Sequence, residues 1–510
     1  MTYGLIQLVP LAIVAGMFAL LILSGLRNRS SQTSEYGFGG SYTGRIGIGA
    51  GIASNWMSAA SFLGLAGVFY LKGYFAMAYV VGWTGGYVLL LVLMATQIRR
   101  FGKFTAPDFV GFRYESDAAR TLAALISIII TIIYCVAQFR GIALLVSWLF
   151  GIDYLPAVVV GTSLLVSFVV VSGALGVARN QKLQYFVLIV TFILPLMLLT
   201  RKLGYFWILP QFGYGEAIAE LQQQFGFNWS EPFGGSSLFQ WFALCFTLMF
   251  GTAGLPHVLS RFYMVPGMRD ARWGVVWGLF FIALIYWSAP AYGVLVRLFE
   301  ARNGLALNAG SADAADMIVL SAAGLGGLPI WAVGLLAAGG MSAAFSTSAG
   351  LMMNGAASFS YDIYPRLIRP NASERDKTFA AKGFFLVLAA VVMMLTLRPW
   401  GMIAEIAAFA FAVAGNTIFP AFLLGIWWPR ANAPGVICGM LTGLIISFAP
   451  LLAGDRLPFI SQLFPITSSA FIGAPLVMIV MIATSLLTAP PSAAIRLFVS
   501  RDVHDCPENG

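Results

Sequence analysis

The stretch ASNWMSAASFLG, residues 53–64, places three serines and an asparagine among small residues in the middle of a long apolar run. Polar groups within a membrane need partners from the protein or a cavity, because hydrocarbon offers them none. This pattern is therefore not expected in a helix that faces lipid, and the active site of a soluble enzyme rarely has such apolar flanks. We infer that the stretch faces other helices or a cavity inside a membrane-embedded chain.

The composition of the whole chain also indicates a membrane protein. Of its 510 residues, 59% are hydrophobic and only 10% are charged, whereas soluble domains carry about 25% charged residues. The net charge of +9 is distributed between apolar runs rather than along one face, so no nucleic-acid partner is expected. The four cysteines are scattered and form no CxxC pair, which excludes a disulfide framework and a cysteine metal site. We predict a single polytopic domain, 1–510.

Apolar runs of about 20 residues predict membrane-spanning helices. Thirteen candidate spans are predicted, at 4–26, 46–71, 75–97, 121–150, 155–177, 183–200, 238–259, 272–297, 328–358, 379–397, 401–428, 433–453 and 467–489. With the N-terminus outside, 21 of the 29 Lys and Arg residues fall on the cytoplasmic side, seven fall outside and one lies within a span. This bias follows the positive-inside rule, so the C-terminus is predicted to be cytoplasmic.

The second and seventh spans carry helix-breaking residues. The second holds the glycines of GIGAGIAS (47–54) and the seventh holds MFGTAGLPH (249–257), with a proline. Because the two broken spans are five spans apart, they predict inverted repeats at about 46–200 and 238–428. This is the architecture of secondary transporters, whose sites lie at broken helices. The alternative is that the small residues only allow close helix packing.

Several motifs then resemble the sodium:solute symporter family, and its acetate-permease branch most closely. They are SSQTSEYGFGGSYTG (30–44, matched with gaps), NWMSAASFLGLAG (55–67), GTAGLPHVLSRFYMV (251–265) and SYDIY (360–364). The resemblance covers about residues 30–430. It implies an all-α fold like that of LeuT, with a 5+5 inverted-repeat core, an extra helix at the N-terminus and two more at the C-terminus. It also implies co-transported Na⁺ and a place in the bacterial inner membrane.

The resemblance implies a sodium site between the first and eighth core helices. Counted back from Asp362, its ligands fall on the first, fourth and fifth residues of AAFST (343–347), and on two backbone carbonyls of the broken helix. The implied ligands are Ser54, Met57, Ala343, Ser346 and Thr347. Neutral hydroxyl and carbonyl oxygens suit a hard cation. The alternative for the two hydroxyls is local bonding to the preceding helical turn.

Three positions depart from the family pattern. Acetate permeases lack the hydroxyl pair, and they carry an acid where this chain has Asn55. Many sodium-coupled members also have a Thr-Asp pair where this chain has Asn180 and Gln181. The missing acid predicts one sodium ion per cycle rather than two, and the first departure weakens the transfer of acetate as substrate.

Candidate solute contacts lie within the stretch 53–64 and in two later predicted spans, 121–150 and 238–259. Arg140 is a charge near mid-membrane, where it needs a partner, and its planar fork suits a carboxylate. The alternative is a structural bond to helix-end carbonyls or to a fixed acid such as Glu405. The complete set of predicted solute contacts is Trp56, Ser58, Ser61, Phe62, Gln138, Arg140 and Trp241. His257 is predicted to be structural, together with Arg261.

The sequence therefore predicts a sodium-coupled symporter that imports a short monocarboxylate such as acetate or pyruvate. Its partners would be a small anionic solute and membrane lipid, and it would act as a monomer. Proline or another amino acid is the alternative substrate. A membrane enzyme is not expected, because the chain has two histidines and no HExxH, GxSxG or P-loop motif. A transporter-like solute sensor is the remaining alternative, although the tail after residue 490 is too short for a signalling domain.

Overall fold

The computed structural model shows an all-helical protein. It describes residues 8–27, 45–101, 105–229, 231, 233, 236–263, 268–305, 311–453 and 458–503, and these contain no β-strand. The motif at 30–44 that contributed to the family resemblance lies outside the described residues. Everything that follows concerns the described part of the chain.

The α-helices are numbered here in chain order. They are α1 (Leu8–Arg27), α2 (Arg45–Trp56), α3 (Leu65–Lys72), α4 (Met77–Leu93), α5 (Ala95–Phe101), α6 (Ala106–Arg113), α7 (Asp117–Phe150), α8 (Tyr154–Lys202), α9 (Pro210–Phe225), α10 (Leu238–Gly254), α11 (Pro256–Tyr263), α12 (Met268–Asn303), α13 (Ala312–Asp316), α14 (Ile318–Leu325), α15 (Ile330–Ala357), α16 (Glu374–Thr396), α17 (Ile403–Asn416), α18 (Ile418–Trp427), α19 (Ala433–Ala453), α20 (Pro458–Leu463), α21 (Ala470–Leu487) and α22 (Ala493–Leu497). Three π-helical segments, Ala60–Gly64, Ser358–Ile368 and Phe498–Asp502, join or extend these helices.

Eleven segments of the described chain are long and apolar enough to cross a membrane, and α10 is a shorter apolar helix of 17 residues. The predicted second and third spans differ most from these segments, because 60–93 forms one continuous apolar stretch. That stretch turns at Gly73, whose φ of +54° is readily adopted only by glycine. The structure therefore supports eleven spans by length and composition, and the count of thirteen stays a prediction.

Both spans with helix-breaking residues are broken in the structure. The first break leaves Met57 and Ser58 outside any helix, between α2 and the π-helical turn that leads into α3. The second lies at Leu255, an extended residue between α10 and α11. Pro256 follows it and has no backbone N–H to continue the hydrogen-bond ladder. The second break occurs beside the proline that predicts it, whereas the first falls after Trp56 and the glycines at 47, 49 and 51 lie within the regular helix α2.

The broken helix α2 packs against α8, α12 and α15. Its glycines allow close approach, since a Cβ on Gly49 would lie 2.8 Å from the backbone nitrogen of Gly278 in α12. The other broken helix, α10, packs against α4 and α17. Buried helices therefore surround both breaks, as unpaired backbone groups in a membrane require.

The segment between α12 and α15 folds into short helices rather than an open loop. α13 packs against α3, and α14 packs against α12 and α15. The side chain of Asp316 in α13 is fully buried. An acid that the sequence assigns to an outer loop therefore lies within the helical bundle, beside the continuation of the broken helix.

Candidate sodium and solute site

The break after α2 releases backbone carbonyls. In a regular α-helix the amide of Ala59 would donate to the carbonyl of Asn55. Here Ala59 N donates instead to Oε1 of Gln138, a buried side chain of α7, at 2.8 Å. The helix resumes when the amides of Ser61 and Phe62 donate to the carbonyl of Ser58, at 3.0 and 2.9 Å. The side chain of Gln138 thus satisfies the freed amide, and the carbonyls before the break are available to other groups.

A serine hydroxyl of α15 contacts the first of these carbonyls. Ser346 Oγ lies 2.8 Å from the carbonyl oxygen of Ser54 and 3.0 Å from that of Ala343. All three residues are fully buried. The Ser346 hydroxyl therefore bridges its own helix and the broken helix, instead of bonding only to the preceding turn.

The neighbouring threonine contacts the next carbonyls. Thr347 Oγ1 lies 3.0 Å from the carbonyl oxygen of Asn55 and 3.4 Å from that of Met57. The structure therefore brings together all five residues that the sequence assigns to sodium and adds the carbonyl of Asn55. Sequence reasoning missed this carbonyl, because spacing alone does not show which freed carbonyls face α15.

The chemistry of these oxygens suits a monovalent cation. Every one of them is a neutral hydroxyl or carbonyl, and each hydroxyl has lone pairs that it can turn toward an ion. Among the described residues, no group of three or more His, Cys, Asp or Glu side chains is arranged to hold a metal ion. A hard cation of single charge matches this set better than a transition metal does.

The other face of the opening stretch meets two buried tyrosines. Trp56 Nε1 donates to the hydroxyl of Tyr286 at 2.8 Å, and Ser61 Oγ lies 3.1 Å from the same hydroxyl. Ser58 hydrogen-bonds the hydroxyl of Tyr134. The structure thus groups three of the predicted solute contacts with two tyrosines that the sequence reasoning missed, because a tyrosine in an apolar span resembles ordinary packing.

Aromatic rings enclose this hydroxyl group. The ring centroids of Tyr87 and Phe411 lie 4.8 and 5.5 Å from that of Trp56, both edge-on. The ring of Trp83 stacks on Tyr286 with centroids 5.6 Å apart. Apolar walls around a few polar groups are typical of sites for small organic molecules.

Gln138 has a donor to spare at the break. Its Oε1 accepts from Ala59 N, which fixes the orientation of the amide group. Its Nε2 makes no hydrogen bond with any described residue, although the side chain is fully buried. A buried polar atom of this kind calls for an explanation, and a carboxylate oxygen of a solute would satisfy it.

Arg140 is held by two aspartates rather than by Glu405. Its Nε donates to Asp316 at 2.9 Å and its NH2 donates to Asp313 at 2.7 Å. Asp316 also accepts from the backbone N–H of Ile403 at the start of α17, at 3.1 and 3.2 Å. Glu405 instead caps the first turn of α17. Arg140 therefore has a structural partner, and its contact with solute stays a prediction.

Two predicted aromatic contacts lie against other apolar side chains. The ring of Phe62 meets the ring of Phe192 in α8, with centroids 4.8 Å apart. Trp241 is half-buried near the start of α10, and its ring lies 5.3 Å from that of Phe242. Neither contact joins these residues to the hydroxyl group around Tyr286, so their roles in solute binding remain predictions.

The positions that depart from the family pattern have structural partners. Gln181 Nε2 donates to Oδ1 of Asn55 at 3.3 Å, which ties α8 to the broken helix. Asn180 Nδ2 donates to the carbonyl of Leu21 in α1 at 2.7 Å. The amides therefore join helices at positions where acids would introduce negative charge.

His257 lies at the second break, with its ring 5.9 Å from that of Tyr134. The side chain of Arg261, its predicted structural partner, lies outside the described residues. The structure thus places His257 beside the tyrosine that bonds Ser58, and the predicted pairing stays untested.

Comparison with known proteins identifies the family. Residues 36–443, most of the chain, match the model of the sodium:solute symporter family. The chain belongs to this family. It is therefore a transporter rather than an enzyme, an integral protein of the bacterial inner membrane whose co-transported ion is Na⁺ and whose cargo is a small solute.

Similar bacterial proteins cover nearly the whole chain. An uncharacterized symporter of Cupriavidus necator is 28% identical, over 94% of this chain and 92% of its own length. The uncharacterized symporter YwcA of Bacillus subtilis is 30% identical, over 91% of each chain. The monocarboxylic acid transporter of Corynebacterium glutamicum is 28% identical, over 89% of this chain and 86% of its own.

Two solved structures share the fold. A Na⁺-coupled sialic acid symporter in a substrate-bound outward-open state superposes with a TM-score of 0.76 at 19% identity, over 96% of this chain and 99% of its own. Mhp1, a nucleobase-cation-symport-1 transporter in a closed conformation, gives a TM-score of 0.51 at 12% identity, over 91% of this chain and 98% of its own. At these identities the likeness concerns the fold alone.

Proposed function

We propose that this symporter imports a short-chain monocarboxylate, such as acetate or pyruvate, with one Na⁺ per cycle by alternating access. One observation carries the proposal: the hydroxyls of Ser346 and Thr347 face the carbonyls released by the break after α2. The free donor of Gln138 lies at the same break. The name of the Corynebacterium glutamicum relative, a monocarboxylic acid transporter, supports the choice of solute.

In this proposal the break after α2 provides binding groups for both Na⁺ and the solute. Na⁺ binds between α2 and α15, on oxygens of Ser54, Met57, Ala343, Ser346 and Thr347. The carboxylate binds on the other face of the break, where Gln138 Nε2 and the hydroxyls around Tyr286 supply donors. Because Ala59 N is tied to Gln138, an ion that orders the break also orders the solute side, and each cargo favours binding of the other.

The architecture we propose has thirteen spans in a single domain, 1–510, with inverted repeats at about 46–200 and 238–428. The N-terminus lies outside, the C-terminus is cytoplasmic, and the protein acts as a monomer. The breaks after α2 and α10 support the repeat, because each falls in the first span of its half. The distribution of Lys and Arg supports the orientation.

Uptake into proteoliposomes tests the function. Purified protein is reconstituted, and accumulation of radiolabelled acetate, pyruvate, lactate and proline is measured with and without an inward sodium gradient. We expect gradient-driven accumulation of at least one monocarboxylate and none of proline. Accumulation of every solute without sodium, or of proline alone, would overturn the proposal.

The sodium site is tested by Thr347→Ala with Ser348→Ala as the matched control. Both hydroxyls are fully buried on adjacent positions of α15, but Ser348 Oγ makes no hydrogen bond with any described residue. We expect Thr347→Ala to raise the half-saturating sodium concentration about tenfold, which corresponds to about 1.4 kcal/mol, and Ser348→Ala to leave it unchanged. Equal values for the two variants would remove Thr347 from the site.

A further inference from the structure

We propose that Arg140 is an entry site for the solute carboxylate, and that Asp313 is a built-in carboxylate which occupies this site until the solute displaces it. The inference rests on the proposed function, because it needs an anionic solute. It assigns a binding role to an arginine outside the hydroxyl group of the break, and it gives a reason for the pair of aspartates around it.

The two aspartates hold Arg140 in different ways. Asp316 is fully buried and has three hydrogen bonds, one from Arg140 Nε and two from the backbone N–H of Ile403 to its two oxygens. The side chain of Asp313 is 62% exposed, and its one hydrogen bond with the described residues joins it to Arg140 NH2 at 2.7 Å. Asp316 is thus a fixed partner, whereas Asp313 is a partner that solvent can reach and separate.

Exchange at Arg140 has a small electrostatic cost. A guanidinium offers five N–H donors in a planar fork, and the aspartates use its Nε and NH2. An arginine left unpaired in a buried site would cost several kcal/mol. A monocarboxylate presents the same two oxygens as the Asp313 side chain, so replacing one with the other keeps the buried charge paired.

The position of Arg140 connects the exposed aspartate to the break. Gln138 and Gly141 are three residues apart on α7 and share the helix face that meets Ala59, and Arg140 directly precedes Gly141. Its neighbour Gly141 lies against the break, since a Cβ there would be 2.6 Å from Cβ of Ala59 and 3.4 Å from Ile403. Asp316 is bonded to the same Ile403. A carboxylate bound at Arg140 is therefore connected to the break in two ways, through the adjacent Gly141 and through the bond from Ile403 to Asp316.

This arrangement links solute arrival to a movement of the chain. Asp313 is part of α13, which packs against α3, the continuation of the broken helix. When the solute replaces Asp313 on Arg140, α13 loses one of its contacts to α7. The bond between Asp316 and Arg140 remains. Only an anion gains from the exchange, so the step also selects carboxylates over neutral solutes of the same size.

The test measures how the half-saturating carboxylate concentration responds to Asp313→Asn. Removal of the internal competitor is expected to lower this concentration several-fold at saturating sodium, with sodium half-saturation unchanged. Glu216→Gln is the control, because Glu216 is an exposed acid of α9. It removes the same charge from the predicted outer surface without touching Arg140. Asp313→Ser is a second variant in case the asparagine form folds poorly.

The outcomes separate this inference from the proposed function. If the wild-type protein accumulates no monocarboxylate, the proposed function fails. If the wild-type protein does accumulate a monocarboxylate, but both Asp313 variants bind it with unchanged or weaker affinity, the entry site is contradicted and the proposed function stands. An equal gain in affinity for Glu216→Gln would assign the effect to general surface charge and would also overturn the entry site.

Discussion

Two arginines on one helix, Arg120 and Arg140 of α7, are each held by two aspartates, but only one of the two clusters has a replaceable partner. The arginines are separated by 20 residues, and therefore by about 30 Å along the helix. Arg120 Nε and NH2 both lie 2.7 Å from Asp362 Oδ1, and its NH1 lies 2.7 Å from Asp108. The first cluster thus lies at the start of α7, and the second lies ten residues before its end.

The clusters differ in the exposure of their acids. Asp362 is fully buried and also accepts from Thr105 Oγ1 at 2.8 Å, and the side chain of Asp108 is only 15% exposed. In the other cluster Asp313 is mostly exposed. Asp362 belongs to the π-helical segment that extends α15, the helix of Ser346 and Thr347. The Arg120 cluster is therefore a buried brace for α15, and the Arg140 cluster has the exposed partner that the proposed exchange requires.

The largest effect is expected from Asp362→Asn. This change leaves Arg120 without its buried partner, and breaking such a pair costs about 3 kcal/mol. Asp313→Asn removes a mostly exposed partner and should cost about 1 kcal/mol or less. Unfolding of both variants in detergent, followed by tryptophan fluorescence, measures the difference. Equal losses would show that the two clusters are braces of the same kind.

Arg140→Gln should have the next largest effect, because it leaves Asp316 charged and buried. We expect a loss of about 2 kcal/mol together with weaker carboxylate affinity. The double variant Arg140→Gln/Asp316→Asn should regain most of the stability and none of the affinity. If the double variant also recovers affinity, the role of Arg140 is structural only.

Glycine-to-alanine changes test the surroundings of each arginine. A Cβ on Gly111 would lie 2.6 Å from Cδ and 2.8 Å from Cβ of Arg120, and one on Gly141 would lie 2.6 Å from Cβ of Ala59. Crowding of this kind costs about 1–2 kcal/mol. We expect Gly111→Ala to lower stability with normal half-saturation, and Gly141→Ala to disturb uptake as well. Normal uptake kinetics in Gly141→Ala would separate the break from α7.

A further effect concerns pH. Burial raises the pKa of Asp316 to about 7, and the charge of Asp313 acts in the same direction. Arg140 and the Ile403 amide act in the opposite direction, and their effect is smaller. The Asp316 carboxyl takes up a proton more readily in the folded than in the unfolded protein. The stability that it contributes therefore decreases as pH rises from about 4 to about 7, by at most about 1.4 kcal/mol per pH unit. Unfolding of the wild type and Asp316→Asn at pH 5.5 and 8 checks this, and a difference between them that does not change with pH would contradict it.

The family, and the proximity of the predicted sodium ligands to one another, could be predicted from the sequence for a physical reason. The interval from Asp362 back to Ser346 and Thr347 runs along helical backbone, so counting residues is equivalent to measuring distance. The break after residue 56 could be predicted because glycine, serine and asparagine weaken a helix in apolar surroundings. Local chemistry decides both features.

Features that depend on contacts between distant segments could not be predicted in this way. The sequence shows that the charge of Arg140 needs a partner, and it suggests Glu405. Nothing local shows that α13 folds back and places Asp316 beside α7. Tyr286 is separated by 230 residues from Trp56, and an aromatic residue in an apolar run is usually packing.

The neutral oxygens of the sodium site have an electrical consequence. Because the proposed ligands include no carboxylate, this site would carry a net positive charge when the ion is bound. The proposed cargo of one Na⁺ with one monocarboxylate has zero net charge, so the membrane voltage would do no work on it and the concentration gradients alone would drive uptake. A zwitterionic cargo would instead move one positive charge, worth about 2.3 kcal/mol per 100 mV. A current across a reconstituted membrane therefore reports the charge of the solute.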